Sequence, residues 1–521
     1  MRQNRQVRLL IKMIKIVGFS FFLTLACFNV FAQQLFSNDS LTWKFSFQKK
    51  IQLHFENPNL VSVGQSDFKL GEAEINYHHR IGDFRRSKDP YSRDVMSFKA
   101  SGISKINRFI VSGNFIFYRM WEDSLANTLQ GDDDDITPFY YFVSKSGQFE
   151  RQLFKGTMQL RFKGVNKYLQ PGIQFAYKAN WSTRSVDPRP NVASVSIKIN
   201  SNISAEVGSS MLSVGFTFGY GDEENSISYK NQMYKYSLLF PDRIHYTNHG
   251  YGYISQNDSS MMSKYNQYRG INLSHSLVTT RIGLYSTLDV ERSVSLSTFD
   301  VRSRKHFYKR SEFTLETLKA KSQLYMRTDN NREHLIDFAL EYQRGLDYNF
   351  NLRSANYFAS RYSIGLNYFH DLQFWNLGVG GMLTANEKKD AATDHFHSIK
   401  QLMFSFNIRR IINIRKNVFE AELNPNYTLK LANILQIPAT QVNVFTKSVV
   451  YPDFYYFNLE PVGLELNLGY YVPNLMRSRY TKLFFRNQFA TVFHNGSIDS
   501  MPNNRRKNNL WQMQIGSHIS F

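Results

Sequence analysis

The residues of this 521-residue chain with the clearest chemical potential are thirteen histidines and one run of four acids. His395-x-His397, with Asp390 and Asp394 beside it, gathers two imidazoles and two carboxylates, the donor types a divalent metal takes. Asp132-Asp133-Asp134-Asp135 offers the hard oxygens that suit Ca²⁺. Both groups fall in stretches without periodicity, where a solvated turn and a solvated acid run are the expected outcomes, so neither a metal nor another cofactor is expected. The sequence has no glycine-rich phosphate loop, no Gly-x-Ser-x-Gly elbow and no His-Glu-x-x-His. No Asp/His or Ser/His set is grouped by spacing, so no catalytic residue is assigned. The basic groups Arg302, Arg304, Lys305, Lys309, Arg310 and Arg505, Arg506, Lys507 suit anionic lipid headgroups, with a solvated loop as the alternative.

The charge balance points the same way. Lys and Arg exceed Asp and Glu by 21. Arg2, Arg5, Arg8, Lys12 and Lys15 supply five of these, ahead of an apolar run from Ile16 to Val30 and a Val30-Phe31-Ala32 cleavage pattern. Residues 1–32 therefore read as an export signal, and the run is short of the roughly 20 residues a spanning helix needs. Cys27 leaves a lipoprotein signal open as an alternative; cleavage after Ala32 removes the only cysteine, so disulfides and thiolate metal sites are not expected. The remaining cations are scattered rather than gathered on one patch, which argues against a nucleic-acid partner and for lipopolysaccharide. A mean hydropathy of −0.40 excludes a helical membrane protein, whereas a barrel spans lipid with half of each strand apolar.

The positioning elements are strands. At the C-terminus, Trp511, Met513, Ile515, Ser517, Ile519 and Phe521 alternate with Leu510, Gln512, Gln514, Gly516, His518 and Ser520, one mainly apolar face against one mainly polar face. An amphipathic last strand ending on an aromatic residue resembles the sorting signal that barrel-assembly machinery reads in outer-membrane barrels. The same period recurs from Ile173 to Trp181, Ile336 to Gln343, Gln401 to Arg409 and Leu464 to Tyr470. With weaker repeats it gives about eighteen segments, sixteen being the alternative count. The phase slips around Leu318.

Connections alternate short and long. Ser104–Asn107 and Ser204–Gly208 are short; Met120–Gln148, Ser182–Asn191, Gly221–Met262, Leu346–Ala359, Asn386–Ser398 and Leu431–Asn458 are long. The expectation is an all-β, single antiparallel transmembrane barrel over residues 67–521, with short periplasmic turns and long extracellular loops. Residues 33–66 precede it as a periplasmic tail or a small plug. Trp181 and Trp511, with Tyr451 and Phe454 to Phe457, fall at outer strand ends; Tyr470, Tyr471, Tyr480 and Phe521 fall at inner ends, where rings suit the headgroup layers.

Ala32-Gln33, Asn57-Pro58, Asp187-Pro188-Arg189-Pro190 and terminal Phe521 together resemble an uncharacterised, domain-of-unknown-function family of Bacteroidota outer-membrane barrels. The resemblance implies fold and place, with no activity attached. Charges on the lipid face near the midplane cost about 2–4 kcal/mol each, so the phase puts them inward. Arg161, Lys163, Lys178, Arg281, Arg409, Lys482 and Arg486 should share the lumen with Asp337, Glu341, Glu420, Glu422 and Glu465. The leading functional expectation is a passive pore or substrate-selective channel. A plugged scaffold for surface lipoproteins or secretion partners and a rim enzyme are the alternatives.

Overall fold

In the computed structural model, the described residues are Lys49, Gln52, Asn57, Leu60 and 69–520, apart from 133–134, 164–168, 237, 257–258, 301–306, 329–331, 373–374, 415–416, 474–479 and 493–508. The export signal, most of residues 33–66, Asp133 and Asp134, the basic groups at 302–305 and 505–507, and Phe521 lie outside them, as does the side chain of Tyr480.

The strands run in order β1 (Lys69–Gly82), β2 (Ser92–Ile106), β3 (Phe109–Leu125), β4 (Tyr140–Phe142), β5 (Gly147–Phe162), β6 (Gln170–Arg184), β7 (Arg189–Val207), β8 (Ser210–Ser228), β9 (Tyr246–Asn248), β10 (Ile254–Gln256) and β11 (Met261–Val278). They continue as β12 (Ile282–Asp300), β13 (Phe307–Arg327), β14 (Glu333–Asn349), β15 (Tyr357–Asp371), β16 (Trp375–Asp390), β17 (His395–Ile414), β18 (Asn417–Gln436), β19 (Pro461–Pro473), β20 (Tyr480–Val492) and β21 (Asn509–Ser520). Among the described residues, eighteen of them pair antiparallel in one sheet, each with its neighbour along the chain once the short β4, β9 and β10 are set aside. β1 pairs with both β2 and β21, which closes the barrel. This is the expected fold, strand for strand.

The wall strands run from 12 residues in β21 to 21 in β13, beyond the roughly 9–11 that cross a bilayer. The excess carries the wall past the apolar band at the long-connection end, called the outer end here. Several expected long loops shorten accordingly: 182–191 contracts to residues 185–188, 346–359 to 350–356 and 386–398 to 391–394. At the inner end the turns are tight. Asn107 and Gly208 take left-handed φ of 53° and 61° in two-residue links, a conformation that Asn and Gly reach at least cost.

Outward positions carry the apolar side chains. Ile75, Phe98, Phe154, Phe175, Ile197, Phe218, Leu366, Phe404, Leu466, Phe489 and Ile515 are all exposed on that face. Trp181, Trp511 and Tyr470 point the same way, the Tyr470 ring lying tilted against Phe419 with centroids 4.9 Å apart. Tyr471 instead points inward and is buried, because adjacent strand residues face opposite sides. Tyr451 and Phe454 to Phe457 do not flank a strand. They form α1 (Tyr451–Asn458), an eight-residue α-helix that follows one π-turn at Thr446–Val450 and packs on β18.

Candidate functional site: a lumen closed by its own loops

Sequence periodicity places polar residues inside the wall, but at the outer half the interior is filled by protein. The β3–β5, β8–β11 and β18–β19 connections fold inward, where β4, β9 and β10 form a three-stranded sheet. The depth is fixed by Asp132: it pairs with Lys178, an inward residue six positions below the outer end of β6, and accepts from Asn180 Nδ2 at 2.9 Å. Gly131 carbonyl accepts from Arg151 Nη1 at 2.9 Å, and Leu129 carbonyl from Asn225 Nδ2 at 2.8 Å, both donors being on the inner wall.

Two apolar clusters glue this plug. Leu125, Leu129, Phe139, Tyr141 and Phe149 pack with Met262 and Phe299; Tyr140, Phe142, Tyr251, Phe445 and Val450 pack with Phe313, Tyr357 and Ala359. Phe313, Tyr357 and Ala359 are wall residues on the inner face, which explains the phase slip near Leu318. Below that residue the apolar positions of β13 face lipid, and above it Phe313 and Leu315 face the plug.

A half-buried carboxylate ties the loops together. Asp135 lies 3.1 Å from Lys388 on the wall, 3.3 Å from Arg86 and 3.7 Å from Lys88. Burial alone would raise its pKa, but these three cations outweigh it and hold the carboxyl below the usual range. Nearby Asp453 of α1 is shifted up, by burial first and by Asp135 second, while accepting from the Ser87 amide at 2.8 Å. The acid run is therefore a packed hub at its described ends rather than a solvated stretch. The reason is tertiary: the wall offers Lys178 and Lys388 to it.

His395 and His397 also depart from expectation. Both lie in β17, inward and buried, not in a solvated turn. His395 Nε2 pairs with Thr446 Oγ1 at 2.9 Å, while His397 contacts Tyr251 OH at 2.8 Å and Asn433 Oδ1 at 2.9 Å. Asp390 accepts from the Tyr251 and Tyr253 amides at 2.7 and 2.9 Å. These donors serve the plug, and no cluster of three or more metal-ligating side chains occurs among the described residues.

Beneath the plug lies a cavity of about 570 Å³, lined by Glu72, Glu74, Lys99, Glu420, Glu422, Lys482, Arg486 and His518 among others. Gln52 touches it, and Leu60 is buried against Tyr285 and Tyr325 of the inner wall, so these two residues of the 33–66 segment lie inside the barrel. Glu420 is the centre of a buried group, 2.9 Å from both Arg409 and Lys482 and accepting from Tyr471. Arg486 lies 3.3 Å from Glu465 and donates to Asn467 Oδ1 at 2.7 Å. Lys99 reaches Glu74 at 3.3 Å, His518 reaches Glu72 at 3.2 Å and Asn407 donates to Glu422 at 2.6 Å. Asp337 and Glu341 are inward on β14, with Lys319 3.2 Å from Glu341. Arg161 is inward and buried near Met211. Arg281 is the exception: it sits in the turn before β12, exposed, because the strand starts one residue later. Lys163 likewise follows the end of β5.

The model of the family of unknown function DUF6850 matches residues 62–521, the whole barrel. The chain belongs to DUF6850. No curated protein matches it. Among solved structures, this DUF6850 barrel overlaps the outer membrane transporter YddB from Escherichia coli at 8% identity and TM-score 0.39, over 88% of this chain and 81% of that one. It overlaps the siderophore receptor PiuA from Acinetobacter baumannii at 9% and 0.39, over 88% and 82%. The FrpB iron transporter from Neisseria meningitidis gives 7% and 0.39, over 89% and 83%. Overlap this partial carries no argument about cargo or activity.

Proposed function

We propose that this DUF6850 chain resides in the outer membrane of a Gram-negative bacterium as a substrate-selective channel that its own outer loops hold shut at rest. The apolar outward face and polar lumen support the membrane placement. The observation that carries the channel reading is the charged cavity of about 570 Å³ under a plug whose links to the wall include ion pairs at Asp132 and Asp135. Water can replace such links when a loop moves, whereas a lumen dry and apolar throughout would have no use for a polar chamber.

Planar-bilayer recording tests this. The intact protein should carry little steady current, and a variant with residues 127–145 replaced by a short Gly-Ser link should conduct. Steady current from the intact protein would remove the closed-state reading. Silence from a correctly folded loop-shortened barrel would remove the channel.

That silence would favour a plugged scaffold instead, and one feature of the chain suits it. Met233, Tyr236, Leu238 and Leu239 stand exposed in the β8–β11 loop, Leu238 at 87% and Leu239 at 84%. Side chains so bare of cover suit a protein partner.

A further inference from the structure

The outward face of β11 to β14 changes character within one row of side chains. Ile271, Val290, Leu318 and Tyr342 are in register across the four strands. The next outward row toward the outer end is Arg269, Arg292, Glu316 and Arg344. Arg269 and Arg292 are direct cross-strand partners and both are exposed.

Like charges placed opposite one another destabilise a strand pair. Among the described residues, neither arginine side chain makes a hydrogen bond or ion pair, although Glu316 is the register partner of Arg292. Elsewhere on this face, Arg119 is satisfied by Glu150 at 2.8 Å, so the open pair is a local feature. Arg269 lies nine residues from the inner end of β11 and Arg292 ten from that of β12. At 3.3 Å per residue and the usual barrel tilt, both stand roughly 25 Å above the inner rim, the height of an apolar band. They therefore lie where lipid tails give way to headgroups.

We propose that Arg269 and Arg292, with Arg344 two strands further along the row past Glu316, form a binding site on the barrel's outer surface for the phosphate of a phosphorylated outer-leaflet lipid. The proposal rests on the outer-membrane placement above. Two guanidinium forks converging on one phosphate supply bidentate donors and relieve the repulsion between them. The apolar row beneath provides the surface for the acyl chains of the same molecule. Free phosphate would gain nothing from that row, so the site favours the lipid.

The test is native mass spectrometry of the detergent-purified full chain, titrated with bisphosphorylated lipid A and with its dephosphorylated form. Wild type should prefer the phosphorylated lipid by about tenfold or more, the scale of two interfacial cations. Arg269→Gln with Arg292→Gln should abolish the preference, and Arg119→Gln should keep it. Inorganic phosphate at equal concentration should not displace the lipid. Equal binding of both lipids by wild type would overturn the proposal with no variant needed. So would an undiminished preference in the double variant, or displacement by inorganic phosphate. Sucrose-gradient fractionation separates the two readings. A chain absent from the outer-membrane fraction sinks the placement, whereas loss of lipid discrimination in a chain present there sinks this site alone.

Discussion

Asp135 Oδ1 lies 3.1 Å from Lys388 Nζ, joining the β3–β5 loop to the inner wall at β16. Arg86 and Lys88 crowd the same carboxylate, whose side chain is 21% exposed. Asp135→Asn leaves three cations facing a neutral amide. Breaking a buried pair costs about 3–5 kcal/mol, and partial exposure argues for the lower figure. The variant should open the plug without unfolding the barrel, seen as bursts of current in bilayers from a protein with unchanged strand circular dichroism. Because the folded carboxyl is held low, its contribution is present above the ordinary carboxylate pKa and is lost as pH falls below it. Silence from the Asp135→Asn barrel would show that the hub does not hold the plug.

His245 gives the plug a second response to acid, in a higher window. It is buried in the β8–β11 loop, with Nδ1 accepting from Tyr229 OH at 2.9 Å and Nε2 donating to the Ser259 carbonyl at 3.0 Å. Burial lowers its pKa to about 4. An opened loop would return the ring to about 6.5, so the open state binds the proton more tightly between those values. Loop stability should therefore fall as pH drops from 6.5 toward 4, by up to roughly 3 kcal/mol. Limited proteolysis of residues 229–260 should accelerate over that range in wild type, and His245→Gln should flatten the dependence. Equal pH slopes in both proteins would rule this out.

At the inner end, Glu420→Gln should lower barrel stability by about 3 kcal/mol, since it strands buried Arg409 together with half-buried Lys482. Urea unfolding in lipid vesicles provides the measurement. A midpoint equal to wild type would mean that water already serves these cations.

Ion preference offers the fourth check. The cavity lining holds four carboxylates, at Glu72, Glu74, Glu420 and Glu422, against Lys99, Lys482 and Arg486. Once the loop is shortened, reversal potentials should show weak cation preference. Glu72→Gln with Glu74→Gln should move the preference toward anions. A loop-shortened wild type already selective for anions would place the controlling charges elsewhere.

The wall was legible because lipid on one side and a polar lumen on the other impose a period of two on every strand. It failed to read cleanly where that rule ceases to apply. Phe313 and Leu315 are apolar and inward because the plug, not water, faces them. The plug itself is built from long-range contacts, such as Asp135 with Lys388 and Asn127 with the Ser448 carbonyl, which no local pattern encodes. One local signal pointed to it: Pro138-Phe139-Tyr140-Tyr141-Phe142-Val143 is too apolar for a loop in water. Helix α1 was hidden for a similar reason, its aromatic residues suiting a strand until Phe84 and His397 supply packing partners.

Register along the β1–β21 seam runs from Glu72 with Ser520 to Gly82 with Leu510. Every other wall ladder joins strands adjacent along the chain, so the ribbon can zip up hairpin by hairpin at small entropic cost. The seam alone must bring the two ends of the domain together. Until it does, β1 and β21 each present a row of unpaired amides and carbonyls, and in lipid each such group costs several kcal/mol. An unclosed ribbon therefore has no stable residence in a bilayer, and ring closure must accompany insertion rather than follow it. Truncation before Asn509 would leave β20 as the bare edge, yielding an aggregating or degraded chain rather than a smaller barrel.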